Sequence, residues 1–239
     1  MPRCKRSAKR SGDLDLLEKN FTTIYQLNIW GNKESVSGPG STLRATRPIR
    51  RELPKLLHRL KVKTLLDAPC GDFNWMRQVK LGIESYIGVD VVRDLIEKNH
   101  SNYRGKGRKF IHRNIISDKL PRADLILCRD VMMHLPFKAA FCAIENFRKT
   151  GAKYLLISTD ERSIVDNRKD LPPGGGWRPV NLRLSPFNFP APVHTIKEEK
   201  VRGREVGQIL ALWRIDDIPK MVIRPTARTV IRGSKPLVR

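Results

Sequence analysis

Leu65-Leu-Asp-Ala-Pro-Cys-Gly-Asp72 and Tyr86-Ile-Gly-Val-Asp90 decide the fold. Each is a short apolar run leading into an acid, and continuous apolar runs of this length read as strands buried on both faces. A glycine turn follows the first, with Asp72 placed to cap a helix over 73–79. A helix over 92–98 follows the second. The rhythm continues outward: Lys109-Phe-Ile-His112 is a third, weaker run, Asp124-Leu-Ile-Leu-Cys128 a fourth and Tyr154-Leu-Leu-Ile-Ser-Thr159 a fifth. Between the last two a helix begins at Pro136, with Phe137, Ala140, Phe141, Ile144 and Phe147 on one face and Gly151 just past its end. Strands alternating with amphipathic helices predict an α/β, doubly wound, mostly parallel sheet covered on both faces. Runs over 193–199 and 208–215 supply an antiparallel strand pair at the C-terminal end, which makes seven strands.

In such sheets ligands bind beyond the carboxyl ends of the strands, where the strand order reverses. Gly71 lets the backbone approach a ligand there. Asp90 comes 23 residues after Asp67 and ends the second strand. A carboxylate in that place accepts two hydrogen bonds from the vicinal hydroxyls of a ribose. The plainer alternative makes both acids strand-end turn residues. Neither G-x-G-x-x-G nor G-x-x-x-x-G-K-[ST] occurs. Without a pyrophosphate cradle, NAD, FAD and ATP are disfavoured, and a nucleoside cofactor lacking phosphates fits better.

Upstream, residues 13–60 read as a cap segment and a helix, ahead of a domain over 61–217. Phe21-Thr-Thr-Ile-Tyr25 leads to Trp30 and then to Ser37-Gly-Pro-Gly-Ser41, a forced turn with open backbone amides. Ile49, Leu53, Leu56, Leu57 and Leu60 fall at helical spacing over 48–60. Pro48 suits a first turn, whereas Pro54 predicts a kink or a late start. Downstream, 161–192 is rich in Pro, Gly and Asn. Trp177, Asn181, Phe187 and Phe189 there either shape an acceptor pocket or pack the loop.

The 239 residues carry 47 Lys and Arg against 24 Asp and Glu, a formal net charge of +23. Residues 1–12, read as a flexible basic arm, hold Arg3, Lys5, Arg6, Lys9 and Arg10 and no acid. Residues 218–239, a basic C-terminal tail, hold Lys220, Arg224, Arg228, Arg232, Lys235 and Arg239, again without an acid. Such tails suit a polyanion (nucleic acid, acidic glycan or anionic lipid) or simply keep the chain soluble. A 40% hydrophobic content excludes wholesale disorder. No apolar run is long enough for a transmembrane helix, and no apolar segment of signal-peptide type follows the basic N-terminus. Cys4, Cys70, Cys128 and Cys142 form no C-x-x-C pair, which points to a reducing, cytoplasmic setting without structural zinc.

Together with Ala123-Asp-Leu-Ile-Leu-Cys-Arg-Asp-Val-Met-Met-His-Leu-Pro136, the two opening stretches resemble motifs I, II and IV of class I S-adenosylmethionine-dependent methyltransferases. The resemblance runs over roughly residues 45–215 in order and spacing. It implies S-adenosyl-L-methionine as cofactor and methyl transfer to an acceptor it does not identify. Asp67, Ala68, Cys70 and Gly71 would wrap the methionine part, Asp90 with Val91 would hold the ribose, and Asn114 and Ile115 would border the adenine. Arg129 and Asp130 would line the floor under the sulfonium.

Two positions depart from the pattern. Pro69 stands where members usually have glycine, which stiffens the turn. Asn114 stands where many have Asp; its carbonyl either accepts from the adenine amino group or serves a turn. Trp30 and Ser41 belong to a segment that either closes over the cofactor as a lid or packs as an N-terminal element. A hydroxyl acceptor would need a base, with Asp130, His134 and Tyr25 as candidates. His134 has the alternative of a helix-start residue bonded to backbone. No catalytic metal is implied. The runner-up function is a basic nucleic-acid-binding protein on a non-catalytic methyltransferase-like scaffold.

Overall fold

In the computed structural model, residues 8–162, 165–199 and 207–221 are described. β1 (Thr64–Asp67) shows why the sheet forms: Leu65 and Leu66 are both fully buried, yet they point to opposite faces and enter different cores. β4 (Leu125–Cys128) repeats the pattern, with Leu125 and Leu127 on one face and Ile126 and Cys128 on the other. Strands apolar on both faces need cover on both, and the helices provide it.

β2 (Ser85–Asp90), β3 (Arg108–His112), β5 (Tyr154–Asp160), β6 (His194–Lys197) and β7 (Gln208–Arg214) complete a seven-stranded sheet of order β3-β2-β1-β4-β5-β7-β6. β1 to β5 run parallel, and β7 pairs antiparallel with both β5 and β6. The order reverses between β1 and β4, so the ligand crevice expected of a doubly wound sheet opens above Asp67 and Cys128.

One face is covered by α2 (Arg47–Arg59) and α3 (Arg93–Tyr103), the other by α4 (Phe137–Arg148). Ile49, Leu53, Leu56 and Leu57 of α2 share a core with the sheet, so the helix belongs to the domain it precedes. Pro54 lies inside α2 without ending it. Gly151 takes a left-handed φ of 77° just beyond α4, as its place in the sequence predicts.

Two local expectations are corrected. The helix over 73–79 reduces to a 3-10 turn, Met76–Gln78, because Phe73 sits at φ 59° and Asp72 is engaged elsewhere. The flexible arm over 1–12 is overtaken by α1 (Ala8–Gln26), which begins inside it, while residues 1–7 lie outside the described residues. α1 has no continuous apolar stripe, and Leu17 is its one fully covered large hydrophobic. Tertiary contacts hold it instead: Asn20 Nδ2 donates to the Gly174 carbonyl at 2.7 Å, and Gln26 Nε2 to Asp94 Oδ2 at 3.2 Å. It therefore reaches from the 172–177 loop to α3, across the carboxyl ends of the strands.

The first residues of the segment expected as a tail from 218 are packed against the domain. Ile218 is buried, Arg148 donates to the Ile218 and Pro219 carbonyls, and the Met221 N–H donates to Glu145. Residues 222–239 lie outside the described residues, as does Cys4. Cys70, Cys128 and Cys142 are buried and form no disulfide among the described residues. Among the described residues no helix is long and apolar enough to cross a membrane.

Candidate functional site

Above the switch point lies a cleft of about 1050 Å³, its open mouth included. The ends of β1, β2 and β4 supply its floor through Asp67, Asp90, Arg129 and Asp130. Cys70 and Gly71 follow β1 into it, and Val91, Asn114 and Ile115 form a side wall. Tyr25 and Trp30 reach it from α1 and the turn after it, and Ser41 from the Gly-Pro-Gly loop. Twelve of the residues singled out from the sequence thus meet in one cavity.

The turn after β1 shows how that is arranged. Gly71 adopts φ 54°, and a Cβ there would stand 2.5 Å from Ser37 Oγ. Its N–H donates to Asp90 Oδ2 at 3.1 Å, which ties β1 to β2 across the cleft. Asp72 does not cap a helix. Its Oδ2 accepts from Ser35 Oγ at 2.8 Å and from the Val36 N–H at 3.0 Å, and its own N–H donates to Ser37 Oγ at 2.9 Å. Asn74 Nδ2 adds bonds to Glu34 Oε1 at 2.9 Å and the Ser41 carbonyl at 3.1 Å. Residues 34–41 are therefore clasped to this turn by a hydrogen-bonded lattice, as a wall of the cleft.

Asp90 is 7% exposed; among the described residues Oδ1 accepts from the Val92 N–H at 3.0 Å and Oδ2 from Gly71 at 3.1 Å, with the Val91 N–H acting on it as well. A carboxylate has about four acceptor sites, so both oxygens keep capacity for a ligand diol. Burial raises its pKa, against the backbone donors. Asp67 is 3% exposed, and the Tyr86 hydroxyl donates to its Oδ2 at 2.7 Å. Burial pushes its pKa to about 7; the Asp90 charge adds to the rise, while the Tyr86 bond and Arg129 oppose it.

Just past the end of β4, Asp130 holds φ 54°, a left-handed conformation that Asp tolerates better than most residues with a side chain. Ser158 secures it, accepting its N–H at 3.0 Å and donating to Oδ1 at 3.2 Å. Arg129 pairs with Asp130 Oδ2 at 3.0 Å and with Glu198 Oε2 at 2.6 Å, and donates to the Gly40 carbonyl at 2.8 Å. Its Nε is buried without a hydrogen-bond partner among the described residues. The pairing with Asp130 and Glu198 keeps the guanidinium charged despite burial.

Two of the expected residues stand apart from the cleft. Ala68 is fully buried, and its N–H donates to the Leu127 carbonyl at 2.8 Å, which leaves it inside the sheet. His134 lies behind the roof rather than beneath it. Its Nδ1 donates to the Gly176 carbonyl at 2.7 Å, and its ring packs against Trp30 and Phe21. That is the structural alternative, and it removes His134 from the bases facing the cleft. Asn114 borders the cavity, but its Oδ1 accepts from the Ile116 N–H at 2.9 Å and so serves the turn. Phe187 and Phe189 are core residues, Asn181 is buried, and Trp177 is 53% exposed.

Sequence reasoning missed Leu17, Glu18 and Phe21 of α1 in the roof, because the helix lacks a periodic signal. It also missed Glu198, which looked like one more polar residue on an edge strand. Its only sequence signal is an acid just past the end of β6, the edge strand that pairs with β7.

Comparison with solved structures recovers the same architecture. Magnesium protoporphyrin IX methyltransferase from Synechocystis PCC 6803, with S-adenosylhomocysteine bound, superposes with a TM-score of 0.55 at 12% identity. That match covers 84% of this chain and 99% of that one. The N-methyltransferase NodS from Bradyrhizobium japonicum WM9, also with S-adenosylhomocysteine, gives 0.52 at 16% identity over 80% and 97% of the two chains. No family model matches the sequence, and no curated protein is significantly similar to it. The likeness is therefore one of fold: this is the class I methyltransferase fold.

Proposed function

From that fold, we propose that the protein is an S-adenosylmethionine-dependent methyltransferase whose cofactor occupies the cleft above β1, β2 and β4. The observation that carries this reading is the joint geometry of Gly71 and Asp90. The glycine leaves no room for a side chain, and the carboxylate beside it keeps acceptor sites open. The pair suits a nucleoside's ribose brought close to backbone, with no phosphate cradle at hand.

Bound there, the cofactor supplies an electrophilic methyl group on a positively charged sulfur. The protein's task is then alignment and the exclusion of water, since the reaction is an in-line displacement. Asp90 accepts the two ribose hydroxyls, and Val91 and Ile115 flank the base. Asp67, Arg129 and Asp130 form the polar floor at the methionine end. Phe21, Tyr25 and Trp30 close the roof against solvent. Asp130 and Tyr25 face the cleft and remain the candidates for taking a proton from a hydroxyl acceptor.

Calorimetric titration with S-adenosylmethionine and S-adenosylhomocysteine tests the reading directly. Saturable binding of both is expected, and absence of binding leaves a scaffold without turnover. Incubation with methyl-labelled cofactor and fractionated cell extract then identifies the acceptor by the fraction that takes up label.

A further inference from the structure

The floor of the cleft carries more negative charge than it can balance. Asp67, Asp90 and Asp130 line it with one buried guanidinium, that of Arg129, which pairs with Asp130 and, from outside the cleft, with Glu198. Asp67 and Asp90 are almost fully covered, and the side chains of Arg129 and Glu198 are 4% and 2% exposed. Glu18 and Arg113 also line the cavity and cancel each other formally. Counting Glu198, four carboxylates against one guanidinium leave this cluster at −3 when all are ionised, in a chain whose overall charge is +23. Buried like charges are costly, and either a bound cation or an acquired proton relieves them.

Asp67 is the member free to change. Asp130 and Glu198 are both paired directly to Arg129, and Asp90 accepts two backbone N–H groups. Asp67 has the Tyr86 hydroxyl as its hydrogen-bond partner among the described residues. The groups that face it are Tyr86 and Asp90 from β2 and Arg129 from the end of β4, with the neutral thiols of Cys70 and Cys128 nearby. His112 acts on Asp90 instead.

We propose that this floor discriminates between the two forms of the cofactor, with Asp67 as the specificity-determining carboxylate. It is ionised when a sulfonium lies against the floor, and it titrates as in the empty cleft when a neutral thioether does. The inference rests on the cofactor reading above. Its consequence is relief from product inhibition that grows with pH: once the methyl group has left, an ionised Asp67 disfavours the thioether relative to the sulfonium, and a proton taken from solvent at lower pH removes that penalty. Burial already brings Asp67 to the middle of the neutral range, which lets this exchange occur near pH 7.

The test is the ratio of the affinities for S-adenosylmethionine and S-adenosylhomocysteine, measured by calorimetry between pH 6 and pH 8. The α-ammonium common to both ligands cancels in that ratio. A single linked group of this pKa should raise the ratio about tenfold across the interval. Titrations in phosphate and in Tris at pH 7 should show about half a proton more released by S-adenosylmethionine than by S-adenosylhomocysteine. Asp67→Asn should flatten the ratio. Tyr86→Phe keeps the carboxylate but removes a donor to its ionised form, and should move the rise to higher pH. A ratio independent of pH in the native protein overturns the proposal, as does a native pH dependence kept by Asp67→Asn. Failure of both ligands to bind at any pH overturns the cofactor reading itself.

Discussion

The indole of Trp30 lies 5.6 Å, ring centre to ring centre, from the imidazole of His134, which is fastened to Gly176 from two sides. Its Nδ1 donates to the Gly176 carbonyl, and the Gly176 N–H returns a 3.3 Å bond to the His134 carbonyl. Trp30 faces the cleft and His134 does not. The histidine is thus a strut between the roof and the 172–177 loop, and its removal should loosen the roof. His134→Ala should cost about 0.5–1.5 kcal/mol of stability through the hydrogen bond to Gly176 that it breaks. In a Trp75→Phe background, it should also reduce the change in Trp30 emission when S-adenosylhomocysteine binds. Urea unfolding and fluorescence titration read the two effects separately.

The same residue predicts a pH dependence. Burial holds the His134 pKa below its usual value, opposed by the Gly176 carbonyl and the charge of Asp130. The unfolded chain therefore binds the proton more readily than the folded one. The His134 contribution is complete above about pH 6.5 and falls as the pH drops through that value. Asp67 acts in the opposite direction, because its folded pKa is raised. The comparison to make is native protein against His134→Phe, in which the Asp67 term cancels. The variant should lose less stability than the native protein between pH 7 and pH 5, and parallel curves would contradict the assignment.

Gly71 is a position in the cleft where the backbone leaves little freedom. An alanine there meets both a left-handed φ and the Ser37 hydroxyl. Gly71→Ala should cost about 1–3 kcal/mol from backbone strain alone, with the clash on top. Adding Ser37→Ala should recover part of the loss, since Oγ is the nearer of the two Ser37 atoms in the way. A double-mutant cycle by chemical denaturation measures that coupling, and strict additivity would argue against the contact.

The sheet was legible because its strands are apolar on both faces, and that signal is local: Leu65, Leu66, Ile126 and Leu127 each announce burial. The floor was legible for the same reason, since Asp67, Asp90 and Asp130 sit where those runs end. What lies over the floor was not. α1 is held by single polar contacts such as Asn20 to Gly174, and no periodicity encodes a contact between residues 154 positions apart. Asp72 misled because the same carboxylate that caps helices also binds free N–H groups of a distant loop. Here Ser35 and Val36 reach it. His134 carries a base's chemistry in sequence, and its neighbours in space give it a structural task instead.

Asp90 joins structure to binding, and two substitutions separate the roles. Asp90→Ala removes the acceptor for the ribose and the acceptors for Gly71 and Val92. It should lose about 2–4 kcal/mol of S-adenosylmethionine affinity and also lower the melting temperature. Asp90→Asn keeps one acceptor oxygen and so part of the backbone bonding, and should be the more stable of the two. Calorimetry that finds native affinity in Asp90→Ala would remove the ribose assignment.

The terminal charges give the last test, and the structure sets where to cut. Residues 8–12 belong to α1, and Ile218 and Met221 are packed on α4, so deletions beginning at 1–12 or 218 would damage the fold as well as the charge. Removing 1–7 and 222–239 avoids this. It takes away Arg3, Lys5 and Arg6 at one end and Arg224, Arg228, Arg232, Lys235 and Arg239 at the other. If those residues engage a polyanion, each phosphate or sulfate they neutralise releases counterions, and affinity falls steeply with salt. The trimmed protein should then bind heparin or a mixed-sequence RNA with a visibly shallower dependence on salt. Its affinity for S-adenosylhomocysteine should stay within about twofold of the full chain, because no cleft residue is lost. Filter binding across a salt series measures the slope, and calorimetry checks the cleft. Equal salt slopes in the two proteins would leave the terminal charges as aids to solubility.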